Sequence, residues 1–275
     1  MQNRTDLAVE SYESSAAGSL DGVKVTAHGN VTTVEVLNEN GARALSKPLG
    51  KYITLKVRSF VNDADIFDGR LTAFADALAA VLPHNTSSVL VAGLGNKNIT
   101  ADALGPKTNR YVLSTRHIME ELRRTGGFEG LSCVSTVETG VLGETGIETA
   151  ELIKGVVRQI APSCVITVDA LAASSMERLG TTVQFADSGI SPGSGVGNHR
   201  HEISHETVGV PVIAIGIPTV VSTAVIAEGN NVADAFVTPR EIDRITEQGA
   251  KLIGMGINVC LHKNISAKDL YALVG

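Results

Sequence analysis

The chain has 275 residues, of which 43% are hydrophobic but only 4% aromatic, so its core must be built from Val, Ile, Leu and Ala. The net charge of −6 gives no basic surface for nucleic-acid phosphates, and we expect no direct nucleic-acid binding. There is no run of about 18 uncharged apolar residues, and the N-terminus does not resemble a secretory signal. We therefore expect a cytoplasmic protein without a membrane segment.

The first part of the chain predicts a polar segment followed by strands and a helix. Residues 1–20 are polar and end in SSAAGS, which indicates a mobile N-terminal segment ahead of a single α/β domain over residues 21–275. Alternating runs at residues 23–27, 31–36 and 52–57 predict the half-buried strands of a meander. Helical spacing over residues 67–82 predicts a helix that stops at Pro83.

Beyond Pro83, short apolar runs alternate with helical patterns. The predicted strands are residues 88–94, 133–137, 164–168, 183–186 and 212–217, and the predicted helices are residues 103–122, 146–160, 239–252 and 266–274. Thr145 and Thr238 are the expected N-caps of two of these helices. Continuous Val and Ile runs suit strands that are buried on both faces. Their alternation with helices indicates βαβ units and a mostly parallel central sheet.

Two aspartates follow two of the predicted strands. Asp102 lies shortly after the run that ends at Leu94, and Asp169 comes directly after Val168. Ligands bind beyond the carboxyl ends of such strands, so neighbouring strands would bring both carboxylates into one crevice. Two close acids have divergent pKa values and provide the proton donor and the base that peptide hydrolysis requires. The alternative is that Asp102 caps a helix and Asp169 is a turn residue.

Other polar or glycine-rich positions are candidates for lining the same crevice. Glu138 also follows an apolar run, and Glu144 lies in the same acidic stretch. The loop that contains Gly193, Ser194 and Gly195 matches neither the phosphate-loop pattern nor GxSxG. We expect these residues to shape the crevice rather than to act as nucleophiles.

His201, Glu202 and His205 fit the HExxH pattern, in which two His on a helix bind zinc and the Glu acts as a base. The glycine-rich loop before them and Pro211 after them leave room only for a short helix, which is a weak platform for a metal. A basic loop that faces solvent or substrate is the competing interpretation. A zinc metalloprotease and a non-enzymatic α/β binding protein thus remain alternative functions.

Several long motifs resemble the spore germination protease family of endospore-forming bacteria. These motifs are RTDLAVE at residues 4–10, VAGLGNKN at 91–98, DALGP at 102–106, ETGVLGETGIE at 138–148, VDALAA at 168–173, SGISPGSGVGN at 188–198 and PVIAIGIPTVV at 211–221. The resemblance implies a three-layer α/β sandwich similar to the hydrogenase maturation proteases. It also implies an atypical aspartic endopeptidase without a metal or other cofactor, whose two essential aspartates are Asp102 and Asp169.

The resemblance further implies a substrate, an assembly and a maturation step. The substrates would be small acid-soluble spore proteins, degraded in germination by a homotetramer in the forespore or spore core. Such proteases are made as zymogens, and Thr5-Asp6-Leu7 fits their self-cleavage sequence, with the cut expected between Asp6 and Leu7. Family members usually have Lys where this chain has His199, His201 and His205, so HExxH looks like the result of Lys-to-His exchange.

Overall fold

The computed structural model describes residues 5–15, 20–61, 65–124, 130–197, 200–223 and 235–274. Within these ranges no helix is both long and apolar enough to cross a bilayer.

The described residues form a nine-stranded sheet in which the first eight strands have the order β1-β2-β3-β7-β8-β6-β4-β5, and β9 pairs with β8. The strands are β1 (Val23–His28), β2 (Val31–Val36), β3 (Gly50–Lys56), β4 (Ser88–Leu94), β5 (Cys133–Gly140), β6 (Cys164–Ala173), β7 (Thr182–Ala186), β8 (Val212–Ser222) and β9 (Phe236–Val237). Strands β5, β4, β6 and β8 are parallel to their neighbours within that group. The predicted meander β1-β2-β3 is antiparallel, and β7 joins it to β8 by antiparallel pairing on both sides.

Helices cover both faces of the sheet, which confirms the predicted three-layer α/β arrangement. They are α1 (Ala8–Ser15), α2 (Glu39–Leu45), α3 (Arg70–Ala79), α4 (Leu104–Asn109), α5 (Met119–Arg124), α6 (Leu142–Thr145), α7 (Thr149–Ile160), α8 (His205–Val208), α9 (Ile242–Leu261) and α10 (Ala267–Val274). Alternate residues of β4 show the two faces: Val89 and Val91 pack with α3 and α9, whereas Leu90 and Ala92 pack with α7. Helices α1 and α2 lie on the α7 side, over the other half of the sheet.

Three helix predictions differ from the structure, one because tertiary bonds interrupt the helix and two because the expected cap residues bond elsewhere. The helix predicted over residues 103–122 is interrupted after α4, where Asn258 accepts a hydrogen bond from the Leu113 N–H group and β5 accepts one from the Thr115 N–H group. Helix α7 begins after Glu148 and α9 after Glu241, neither with a side-chain cap bond. The predicted caps, Thr145 and Thr238, bond to other backbone groups nearby.

The N-terminal segment also differs from the prediction. The polar composition of residues 1–20 predicts mobility, yet Leu7, Ala8 and Val9 are buried. They belong to a hydrophobic cluster formed with strands of the sheet and with α2. The part of the predicted segment that the structure describes is therefore packed against the sheet.

Candidate active site

Asp102 is held at the end of β4 by a close-packed turn. The strand ends at Leu94, and Asp102 closes a 3₁₀ turn, Thr100–Asp102, directly before α4. Gly95 has φ +104°, and a Cβ there would lie 2.1 Å from the Asp102 carbonyl oxygen, so only glycine fits. The Asn96 N–H group donates a hydrogen bond of 2.7 Å to Asp102 Oδ2. These contacts fix the half-buried carboxylate at the carboxyl end of β4.

Asp169 lies inside β6 rather than after it, because the strand continues to Ala173. The strand was predicted to end at Val168, but at that residue β6 only loses its pairing with β4. Val168 is the last β6 residue that pairs with β4, at Gly93, and from Asp169 onward β6 pairs only with β8. The Asp169 side chain is 5% exposed, and its Oδ1 accepts a 2.9 Å hydrogen bond from the Ala170 N–H group.

The two aspartates line one cavity of about 310 Å³. Its wall also includes Asp6, Gly140, Val141, Leu142, Gly193 and Arg200. Gly105 makes this arrangement possible, because a Cβ there would lie 2.4 Å from the Val168 carbonyl oxygen. The start of α4, and Asp102 with it, can therefore pack directly against β6.

The surroundings make the two carboxyl groups unequal. Burial raises the pKa of Asp169 well above its usual range, and the nearby carboxylates of Asp102 and Asp6 raise it further. Burial also raises the pKa of Asp102, with a smaller contribution from the charge of Glu144, while the hydrogen bond from Asn96 opposes the shift. The more deeply buried Asp169 is thus the group that keeps its proton more readily.

The other residues predicted to line the crevice lie in an adjoining cavity, in the wall of the aspartate cavity, or against Asp6. Glu138 and Glu144 are exposed and line an adjoining cavity of about 300 Å³, so they do not lie in the wall of the aspartate cavity. Glu144 Oε1 accepts a 3.1 Å hydrogen bond from Asn98 and acts on Asp102 only through its charge. In the glycine-rich loop, Gly193 lines the aspartate cavity. Ser194 and Gly195 contact Asp6, as described next.

The predicted cleavage sequence enters the cavity. The Asp6 N–H group donates to the Ala172 carbonyl oxygen at 2.9 Å, and the Ala172 N–H group donates to Asp6 Oδ2 at 2.8 Å. Ser194 Oγ donates to Asp6 Oδ1 at 2.9 Å. A Cβ on Gly195 would lie 2.3 Å from Asp6 Oδ2, so the carboxylate sits against bare backbone. Leu7 is completely buried. These contacts fix both sides of the Asp6–Leu7 bond, and the Asp6 carboxylate is close enough to Asp169 to raise its pKa.

Two residues that the sequence reasoning missed bind this segment. Lys47 Nζ donates to the Thr5 and Asp6 carbonyl oxygens at 3.1 and 3.0 Å. Gln184 Nε2 donates to the Asp6 carbonyl oxygen at 2.9 Å, and Gln184 Oε1 accepts from the Ala8 N–H group at 2.8 Å. Burial lowers the pKa of Lys47, and the carboxylates of Asp6 and Glu10 oppose that shift. Gln184 had a detectable signal, since it is a polar residue within an apolar strand.

The HExxH residues do not form the helix that zinc proteases use. His201 and Glu202 lie in a loop, and α8 begins only at His205, so the two His do not share a helix face. No group of three or more His, Cys, Asp or Glu residues is arranged to hold a metal in the part of the chain that the structure describes. His199, the third member of the predicted basic cluster, lies outside the described residues.

The fold and the cavity define a three-layer α/β protein with two acidic side chains near the carboxyl ends of its parallel strands. The profile of the family described as germination protease matches residues 4–232. A germination protease of Clostridium perfringens strain 13 is 38% identical over 318 aligned positions, which cover 97% of each chain. One of Bacillus subtilis strain 168 is 44% identical over 241 positions, covering 82% of this chain and 64% of the relative. The chain therefore belongs to the germination protease family and is a peptidase.

Among solved structures, a [NiFe] hydrogenase maturation protease, HycI from Thermococcus kodakarensis KOD1, aligns with 68% of this chain and 99% of its own, with a TM-score of 0.38 and 18% identity. The family membership agrees with the resemblance seen in the motifs. Membership in a peptidase family also decides against the alternative of a non-enzymatic binding protein.

Proposed function

We propose that the chain is an aspartic-type endopeptidase that uses Asp102 and Asp169 to add water to a peptide bond. The observation that carries this proposal is the position of Asp6, which lies in the wall of the same cavity as both aspartates and directly precedes the buried Leu7. A peptide backbone, an acid pair and space for water therefore meet in one place.

The unequal surroundings of the two acids support a division of roles. Asp102 is the base, because an N–H group stabilises its ionised form, and Asp169 holds the proton. Water loses a proton to Asp102 as its oxygen adds to the carbonyl carbon. Asp169 then gives its proton to the amide nitrogen, and the carbon–nitrogen bond breaks to leave a carboxyl group and an amine.

The enzyme is also proposed to be a zymogen that cuts itself between Asp6 and Leu7. The contacts of Asp6 with Ala172 and Ser194 give the residue before the cut a specific binding place for its carboxylate. The buried Leu7 agrees with a large apolar residue after the cut. Cleavage in this position would release residues 1–6.

The biological setting follows from family membership and from the motif resemblance. We propose that the substrates are small acid-soluble spore proteins, that the enzyme acts on them in the spore core during germination, and that it works as a homotetramer. Light scattering of the purified full chain measures the assembly directly, and a monomer at all accessible concentrations would contradict that part.

The decisive experiment incubates a purified small acid-soluble spore protein with the wild-type chain and with the Asp102→Asn and Asp169→Asn variants, and reads the products by mass. We expect discrete fragments from the wild type and none from either variant, with all three proteins folded by circular dichroism. Cleavage by both Asn variants at the wild-type rate would contradict the aspartic mechanism. A parallel arm with a zinc chelator separates the metalloprotease, since only that enzyme would lose activity and regain it with Zn²⁺.

A further inference from the structure

We propose that Lys47 and Gln184 are catalytic residues that bind the carbonyl oxygen of the bond to be cut and stabilise the negative charge that develops on it. This inference rests on the proposed self-cleavage between Asp6 and Leu7. It assigns to an acid-pair protease an additional site for the oxyanion, built from an ammonium group and a side-chain amide.

The geometry of the Asp6 carbonyl oxygen carries the inference. It accepts hydrogen bonds from Gln184 Nε2 at 2.9 Å and from Lys47 Nζ at 3.0 Å. Two donors at about 2.7–3.1 Å are what a site for an oxyanion requires.

The orientation of the Gln184 amide is fixed by its other contact. Its Oε1 accepts from the Ala8 N–H group at 2.8 Å, so its NH₂ group must face the Asp6 carbonyl oxygen. Gln184 is 7% exposed and lies in β7, which is paired on both sides by β3 and β8. Such a donor is preorganised, because it does not have to move when charge appears.

The sheet places this amide at a defined distance from the proton donor. Gly216 of β8 pairs with Asp169 on one side and with Gln184 on the other, so the three residues form one row across three strands. Residues in one row point to the same face, and two strand spacings separate the outer pair by about 10 Å. The N-terminal segment runs between these two strands, with Asp6 bonded to Ala172 of β6 and Ala8 bonded to Gln184 of β7.

Lys47 adds charge where the neutral amide cannot. It follows α2, which ends at Leu45, and reaches over the segment to both the Thr5 and Asp6 carbonyl oxygens. A charged donor forms a hydrogen bond that is roughly twice as strong as a neutral one. As water adds to the Asp6 carbonyl carbon, the π electron pair moves to the oxygen, and the ammonium group lies beside the new charge. The pair returns when the bond to Leu7 nitrogen breaks, so Lys47 needs neither to lose nor to gain a proton.

Holding the segment in place does not depend on Lys47 alone. The Asp6 N–H group and carboxylate are bound by Ala172 and Ser194, and Leu7 is buried. Removing the ammonium group should therefore leave the segment docked while it slows the chemistry. This difference separates a catalytic role from a binding role.

The test measures the first-order rate of self-cleavage by intact mass in the full chain. Its variants are Lys47→Met, Lys47→Arg, Gln184→Met and, as a matched control, Lys51→Met, which removes a lysine that donates to the Ala80 carbonyl oxygen instead. Hydrogen exchange of the Asp6 and Ala8 amides in the uncut protein reports docking. Asp169→Asn is run beside them.

We expect Lys47→Met to cleave about 10²–10³-fold more slowly with both amides still protected, Lys47→Arg to recover part of the rate, and Lys51→Met to match the wild type. Self-cleavage at the wild-type rate in Lys47→Met would overturn the inference. If Lys47→Met does not fold, wild-type rates in both Lys47→Arg and Gln184→Met would overturn it. A loss of amide protection that equals the loss of rate would also overturn it, in favour of docking. Cleavage by Asp169→Asn, or no self-cleavage by the wild type at any pH at which it is folded, would instead refute the proposed function beneath it.

Discussion

A methyl group at position 195 should remove the Asp6 carboxylate from its binding place. The new Cβ of Gly195→Ala would lie 2.3 Å from Asp6 Oδ2 and 2.7 Å from Oδ1, whereas ordinary contacts begin at 3.4 Å. The carboxylate must therefore retreat by about 1 Å, since the Ala172 N–H group that binds it is part of strand β6 and cannot follow it. Gly195 itself has no positive φ, so the substitution brings no backbone strain of its own.

The displacement has a cost that the structure allows us to estimate. It breaks the hydrogen bonds from the Ala172 N–H group and from Ser194 Oγ, at 2.8 and 2.9 Å. Hydrogen bonds to charged groups contribute about 1.5–3 kcal/mol each, so the docked segment should lose about 3–6 kcal/mol. At 1.36 kcal/mol per factor of ten, its docked population falls about 10²–10⁴-fold relative to the undocked one.

The assay is hydrogen exchange of the Asp6 and Ala8 amides in the uncut protein, with self-cleavage followed by intact mass. Both protection and cleavage should fall in Gly195→Ala, whereas Gly155→Ala, which has nothing within 4 Å of its new methyl group, should behave as wild type. Adding Gly195→Ala to an Asp6→Ala chain should cause little further loss, because the clashing group is gone. Equal protection in Gly195→Ala and the wild type would refute the assigned position of Asp6.

Three further predictions test the acid pair and the core. The folded state holds the Asp169 proton more tightly than the unfolded state, so the contribution of this proton to stability is present at low pH and is lost as pH rises through the folded pKa. Asp169→Asn should therefore melt at a higher temperature than wild type, by a margin that grows as pH rises from about 4. A difference in melting temperature that is independent of pH would contradict this. Glu144→Gln removes a charge that raises the pKa of Asp102, so the acid limb of the cleavage pH–rate profile should move to lower pH, and an unmoved limb would exclude the coupling. Phe74→Ala removes a completely buried ring and should lower the free energy of unfolding in urea by about 3–5 kcal/mol, while Leu273→Ala at an exposed position should change it by less than about 0.5 kcal/mol.

The parallel half of the sheet was predictable because its strands must be apolar on both faces. The continuous apolar run at residues 88–94 has the bounds of β4, and in the antiparallel meander the alternating run at residues 31–36 has the bounds of β2. The meeting of Asp102 and Asp169 in one cavity followed from the rule that carboxyl ends of neighbouring parallel strands share an edge. What could not be read was that β6 and β8 continue beyond that edge. From Asp169 onward β6 pairs with β8 alone, and no local pattern encodes the loss of the β4 neighbour.

The N-terminal segment was misjudged for a related reason. Residues 5–10 have three consecutive apolar side chains between polar ones and no helical or strand periodicity that predicts burial. Their polar groups are satisfied one by one by distant parts of the chain. Glu10, for example, is 3% exposed and accepts from the Thr5 hydroxyl and the Ser174 N–H group. Order in this segment is thus a property of the cavity that receives it.

Tertiary structure also explains why the sequence pattern indicates Asp102 and Asp169 but not Lys47 and Gln184. Each aspartate follows its own strand, so a rule about strand ends locates it. Lys47 and Gln184 are brought together by the antiparallel meander, since β3 begins at Gly50, three residues beyond Lys47, and pairs with β7 through Thr54 and Gln184. The position of Lys47 therefore depends on the sheet order β3-β7-β8-β6, which joins the meander to the parallel strands. If that order places the scissile carbonyl as we infer, the antiparallel half of the sheet binds the oxygen and the parallel half supplies the protons.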